Sequence, residues 1–264
     1  MIPKIIHYCW FGRNPLPPLA EKCIASWKKF FPDYEIKEWN EDNFDVNIIS
    51  YTREAYEAKK YAFVSDYARF WILYNYGGLY FDTDVEIIKS FDDIISRGPW
   101  MGCEFDIKTH YVNGAINPGL GLGCVSRMKL LGDILNNYSK IHFCVDGVYN
   151  MKTIVAYTTE ILLQNGLNKE IELQECCGFT IYPKDYFNPL NSQTKVVELS
   201  INTRSIHHYM ASWSNKSFKS NILNFLKYKI LMGILPNVLV RFIVIYKKKK
   251  RENSIKERFE IAKR

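Results

Sequence analysis

Asp82 and Asp84 close an apolar run within Ser65 to Glu86, SDYARFWILYNYGGLYFDTDVE. In extended backbone two such residues share a face, roughly 7 Å apart at Cα, so an Asp-x-Asp at a strand end offers oxygen ligands to a hard divalent cation. A cation is needed if the ligand is a diphosphate, because two bare carboxylates would repel it. Asp66 and Arg69, three residues apart, fall on one face of a helix just upstream. Read in isolation they are a surface ion pair. Their helix, however, leads through Gly77-Gly78 directly into the carboxylate strand. That connection turns Arg69 toward a phosphate and Asp66 toward a sugar hydroxyl in the same pocket.

The elements that must position these groups are legible around them. Tyr61 to Tyr76 is predicted as a helix, with Ala62, Phe63, Tyr67, Phe70, Trp71 and Tyr74 as its apolar surface and the Gly pair as its stop. Pro3 to Trp10 reads as a buried first strand, with His7 a satisfied structural histidine. Trp10, at the carboxyl end where open α/β sheets hold nucleotides, can stack on a base. Leu19 to Phe31 (helix, stopped by Pro32) and Tyr34 to Trp39 (strand) complete a βαβ unit and predict a parallel α/β architecture. Further helices are expected at Phe91 to Ser96, Ser126 to Tyr138 and Thr153 to Asn165. Strands are expected at Trp100 to Glu104, Ile171 to Leu173, Thr180 to Pro183, Val196 to Leu199 and Arg204 to Tyr209, the last turning His207 and His208 to opposite faces. The stretch Asn113 to Gly123, NGAINPGLGLG, reads as a loop and lacks the pattern of a P-loop.

The chain has 264 residues, 47% of them hydrophobic, enough for one substantial core. Its seven cysteines are odd in number and lack CxxC spacing, and no signal peptide is visible, so a cytoplasmic protein with reduced thiols is expected, Cys176-Cys177 being small apolar filler. The net charge of +7 gathers toward the end. Residues 1–220 are therefore read as the catalytic domain, and 221–264 as a basic, apolar-segmented tail. Its longest apolar segments, Ile230 to Val240 and Phe242 to Tyr246, are shorter than the about 20 residues of a membrane span. An interfacial helix at the anionic inner face of the cell membrane fits the pattern, the alternative being a helix packed on the domain. Nucleic acid is not expected as a partner, since no recognition motif accompanies the basic residues.

The run SDYARFWILYNYGGLYFDTD, with the opening IPKIIHYCWFG and the late HHYMASW, resembles the DXD-containing sugar transferases of glycosyltransferase family 32 and, more distantly, the catalytic domain of the large glucosylating toxins. The resemblance implies a GT-A-type fold, with a mixed, mostly parallel sheet flanked by helices, to which the pattern of 221–264 adds a C-terminal helical tail. It implies a nucleotide-sugar donor, UDP-hexose or UDP-N-acetylhexosamine, and transfer with retention, helped by Mn²⁺ or Mg²⁺. The acceptor is expected to be an oligosaccharide or lipid-linked glycan of a bacterial surface polysaccharide. Carried onto this sequence, it places Trp10 on the base, Asp66 and Arg69 on the donor, and Asp82 and Asp84 around the metal. His208, with His207 as the alternative, is the third metal residue. Ser212 and Trp213 close over the diphosphate, and Asn117 and Asp146 lie on the acceptor side. A sugar-phosphate transferase and a non-catalytic glycan- or metal-binding module remain as competing readings.

Overall fold

The computed structural model describes residues 1–105, 115–170, 172–190 and 196–210. The first strand, β1 (Ile5–Cys9), pairs in parallel with β2 (Glu35–Trp39) on one side and with β3 (Gly78–Tyr80) on the other. Helix α1 (Pro18–Phe30) makes the crossover from β1 to β2, and α2 (Ser50–Glu57) and α3 (Tyr61–Tyr76) make the crossover to β3. The sheet continues through β5 (Trp100–Gly102), β6 (Leu122–Cys124), β9 (Gln174–Cys176) and β10 (Phe179–Tyr182), in the order β2-β1-β3-β6-β5-β10-β9. Only β6 and β9 run against the others. Outside it lie two small ladders: β4 (Val85–Ile87) with β11 (Ser205–His207), and a hairpin of β7 (Cys144–Val145) and β8 (Val148–Tyr149). The mixed, mostly parallel α/β sheet expected from the sequence is therefore present.

Strand alternation splits the buried side chains into two cores. Tyr80, Met101, Leu122 and Ile181 face α3 and the helices α5 (Lys129–Tyr138) and α6 (Ile154–Gln164). Their neighbours Leu79, Phe81, Trp100 and Tyr182 face the other way, toward Trp27 and Phe31 of the α1 region, Phe91 before α4 (Asp92–Ile95) and Phe187 of α7 (Lys184–Phe187). Helices thus flank both faces, and the rim of the sheet is left for chemistry.

The Gly77-Gly78 pair ends α3 and starts β3 by backbone necessity. Gly77 has φ +66 and Gly78 φ +103, and a Cβ on Gly78 would stand 2.7 Å from the Ile5 carbonyl. Beside it, His7 Nε2 donates to the Gly77 carbonyl at 3.0 Å, and Nδ1 accepts from the Trp39 indole at 3.1 Å. Because an indole N–H can only donate, His7 is neutral with its proton on Nε2. Burial pushes its pKa down to about 4 from the ordinary 6.5. Between those values the unfolded chain binds a proton that the folded one refuses, so stability is full above pH 6.5 and falls as the pH drops toward 4, by about 3 kcal/mol if this group acts alone. Thermal unfolding at pH 7.5 and 4.5 should show that loss, and His7→Gln should show a smaller pH slope.

Several expectations need correction. The strand leading to the carboxylates stops at Tyr80, and Asp82 to Val85 is a turn closed by the Val85 amide on the Asp82 carbonyl at 3.0 Å. Val196 to Leu199 contributes a single bridge, Val197 to Leu190, rather than a strand. β9 begins at Gln174, after the expected Ile171 to Leu173, of which Ile171 lies outside the described residues. β6 begins inside the glycine-rich stretch read as loop. Its Gly123 is required by packing, since a Cβ there would stand 2.2 Å from the Trp100 indole nitrogen. The expected tail, 221–264, lies outside the described residues, and among those described no helix is long and apolar enough to cross a membrane.

Candidate metal and donor site

The turn after β3 builds the site. Phe81 goes into the core, and the next residue, Asp82, is pinned by its amide on the Gly119 carbonyl at 3.0 Å. Two residues on, the Asp84 carbonyl accepts the His208 amide at 3.0 Å, where β11 lies antiparallel on β4 with His207 opposite Val85. A chain segment more than a hundred residues downstream is thereby folded back onto the carboxylate turn.

That register decides which histidine faces in. His207 is 7% exposed, and its Nε2 meets Asp84 Oδ1 at 3.0 Å. His208 points to the opposite side and meets Glu86 Oε2 at 2.8 Å, with Lys22 on the same carboxylate. The residue expected beside the carboxylates, His208, is therefore replaced there by its alternative, His207. The second oxygen of Asp84 accepts the Met210 amide at 2.7 Å. Burial pushes the Asp84 carboxyl up, but the charge and hydrogen bond of His207 and the Met210 amide outweigh it and hold the group below the ordinary carboxylate range. Burial opposes a charge on His207, yet Asp84 wins and raises the imidazole above its usual value.

Asp82 is held from the helix side. Its Oδ1 accepts the Tyr80 hydroxyl at 3.2 Å and faces Arg69 Nη1 at 3.2 Å, while Oδ2 lies against Gly119, where a Cβ would stand 2.0 Å away. Arg69 is 4% exposed. It pairs with Asp66 Oδ1 at 2.9 Å through Nη2, donates from Nε to the Ser65 carbonyl at 3.2 Å, and lies over the Tyr80 ring at 4.8 Å. The Asp66–Arg69 pair expected on an exposed helix face is thus buried, with the guanidinium tying Asp66 to Asp82. Burial pushes the Asp66 carboxyl up to about 7, against the pull of Arg69.

Asp82, Asp84 and His207 each offer a ligand atom within 4.8 Å of the others. Two ligands on one ion at about 2.1–2.4 Å can be no farther apart than about twice that length, so the spacing admits a single cation. The donor set, two carboxylates and one imidazole, suits a divalent metal. His207 Nδ1 is buried and has no hydrogen-bond partner among the described residues, an orphaned nitrogen at this cluster.

The other expected residues are placed as follows. Trp10 stands half-buried at the carboxyl end of β1, with its indole N–H on the Asn14 carbonyl at 2.7 Å. Asn117 is buried. It donates to Glu104 Oε2 at 2.8 Å and accepts the Gly119 amide at 2.7 Å, so it shapes the loop that presses on Asp82. Asp146 is the exposed first turn residue of the β7–β8 hairpin, with φ +51, a role that Asp-Gly turn chemistry explains. Ser212 and Trp213 lie outside the described residues. Sequence reasoning passed over Glu104, Tyr80 and Gly119. The contiguity of Asn117, Pro118 and Gly119 marked a turn but not its partner.

An α/β sheet that brings two aspartates and an imidazole together at its rim can hold a divalent cation there. Residues 17–99 match the family described as the glycosyltransferase sugar-binding region containing the DXD motif. Among curated proteins it is similar to inositol phosphoceramide mannosyltransferase 3 of Schizosaccharomyces pombe, 32% identical over 107 residues, which cover 38% of this chain and 29% of that protein. It is also similar to the uncharacterized glycosyltransferase L373 of Acanthamoeba polyphaga mimivirus, 30% identical over 129 residues, 44% of this chain and 49% of that one. The chain thus spans between about a third and half of the length of these relatives. Among solved structures it is similar to the PaToxG glycosyltransferase (18% identity, 62% of this chain and 69% of that one, TM-score 0.45). Another is the galactosyltransferase LgtC in complex with donor and acceptor sugar analogs (12% identity, 88% and 98%, TM-score 0.43).

Proposed function

We propose that this protein transfers a sugar from a nucleotide-sugar donor to a glycan acceptor, with a divalent ion held by Asp82, Asp84 and His207. The observation that carries the reading is the meeting of those three side chains beside the buried Asp66–Arg69 pair. When bound, the ion neutralises charge that develops on the departing nucleoside diphosphate. Mn²⁺ is favoured over Mg²⁺, because an imidazole in the donor set suits a softer ion than an all-oxygen site does. Arg69 fixes Asp82 Oδ1 and leaves Oδ2 to turn inward; it is proposed as a positioning residue rather than a phosphate ligand, since its donors are directed at Ser65, Asp66 and Asp82.

Trp10, at the sheet's carboxyl rim, stacks on the base. Asp66 reads a donor hydroxyl through whichever oxygen Arg69 leaves free. Ser212 and Trp213 complete the donor side, and Asn117 borders the acceptor side. Transfer with retention follows the family resemblance, the leaving diphosphate taking the acceptor proton. The donor is a UDP-sugar or, as the mannosyltransferase names of the relatives suggest, a mannose nucleotide. Those names also pair the chemistry with a phosphorylated lipid, which supports a lipid-linked acceptor, and the basic residues of 221–264 support a place at the inner membrane face.

A panel of nucleotide sugars, incubated with Mn²⁺ and assayed for free nucleoside diphosphate, tests the reading. Release of nucleoside diphosphate from at least one donor is expected. His207→Ala should lower it by about 10²-fold or more, whereas His208→Ala, which loses only the Glu86 contact, should stay within about threefold. Nucleoside monophosphate as the product would mean phosphoryl transfer instead, and equal losses in the two histidine variants would remove His207 from the site.

A further inference from the structure

The β9–β10 hairpin turns through Cys177 and Gly178, with Phe179 paired to Cys176 and φ values of +53 and +78. A two-residue hairpin turn of this kind requires positive φ at both positions, and Asn, Asp or Gly normally supplies the first. The β7–β8 hairpin of the same chain obeys that preference with Asp146-Gly147, φ +51 and +78. Here a cysteine occupies the unfavourable place, and an outlier of this sort points toward a use for the side chain. Its consequence is geometric. Neighbouring side chains in a strand diverge to opposite faces, but the left-handed backbone at Cys177 leaves its Sγ 3.7 Å from that of Cys176.

Cys9, Cys23, Cys103, Cys124 and Cys176 are buried and Cys144 and Cys177 are half-buried; Cys177 combines partial access with a second thiol directly beside it. The Cys176 sulfur points to the Leu162 and Asn165 carbonyls at the end of α6, 3.6 Å from each. A third sulfur residue borders the turn, since Met128 Cε would lie 3.4 Å from a Cβ on Gly178. The hairpin strands β10 and β9 lie three and four strands from β3 in the sheet order, roughly 14 and 19 Å at about 4.8 Å per strand, and so separate from the Asp82 cluster.

We infer that Cys176 and Cys177 form a vicinal dithiol site that chelates a soft, thiophilic centre of the trivalent arsenical class. With an arsenoxide, each thiol gives its proton to the oxygen, which leaves as one water while two As–S bonds form. Arsenic stays trivalent and no oxidant or reductant is consumed. Cys177, the more accessible, attacks first, and Cys176 closes the ring. Burial pushes the Cys176 thiol up to about 12, in keeping with the second role.

The test is titration of the full, reduced chain with phenylarsine oxide, read by intact mass. One equivalent per chain is expected, resistant to excess 2-mercaptoethanol and reversed by 2,3-dimercaptopropanol. Cys144→Ser should keep this adduct, and Cys177→Ser should lose it. Cys177→Gly, which suits the left-handed position and so preserves the hairpin, should lose it as well. Absence of the adduct from the native chain, or a monothiol-resistant adduct in Cys177→Gly, would overturn the inference.

Discussion

Asp84→Asn lowers sugar transfer by about 10³-fold or more while the protein stays folded, the size expected when a group that stabilises charge on the leaving diphosphate is removed. Asparagine is the informative choice. Asp84 accepts the Met210 amide and faces His207, and its backbone carbonyl takes the His208 amide. Alanine would strip both side-chain contacts along with the charge, whereas asparagine, with its amide oxygen on Met210, keeps that bond and loses the charge and the acceptor that faces His207. Near-normal turnover in this variant, with circular dichroism unchanged, would take the carboxylate out of the mechanism.

Arg69→Met carries the largest expected cost in stability. Arg69 is the shared cation between Asp66 and Asp82, and both it and Asp66 are buried. Without it, Asp82 loses its cation and Asp66, whose carboxyl burial already pushes up to about 7, takes up a proton; breaking a buried ion pair from one side costs about 3–5 kcal/mol. For a chain of this size that corresponds to a fall in melting temperature of roughly 10 °C. Adding Asp66→Asn should restore part of it above pH 7, where Asp66 must otherwise take up a proton to stay buried beside Asp82. A melting temperature within about 2 °C of the native protein in the single variant would show that the two carboxylates do not depend on this guanidinium. Activity should fall in both variants, because Asp82 loses the group that fixes its Oδ1.

The helix Tyr61–Tyr76 could be read from sequence to the residue because an apolar stripe and a Gly-Gly stop act locally. The same locality exposed Asp66, Arg69, Asp82 and Asp84 as one string. What stayed hidden is what distant pairing decides. Whether His207 or His208 turns inward depends on the register of β11 against β4, and a shift of one residue would exchange them. The burial of Asp66 and Arg69 was equally unreadable, since an Asp-x-x-Arg spacing is identical on a wet face and beneath a second carboxylate. β6 escaped because Leu122–Cys124 is three residues with glycine at its centre, and it is a strand only through distant pairing with β3 and β5, where the Trp100 ring lies in the place of a Cβ on Gly123. The role of Gly119 was invisible for the same cause: only the fold puts Asp82 Oδ2 against it.

Binding of Mn²⁺ to the full chain in the presence of nucleoside diphosphate, followed by loss of the paramagnetic signal of the free ion, is the direct test of the site. One ion per native chain is expected, with at least a tenfold weaker affinity in both Asp84→Asn and His207→Ala, and little change in His208→Ala. Equal affinity in the native chain and the Asp84 variant would contradict the account.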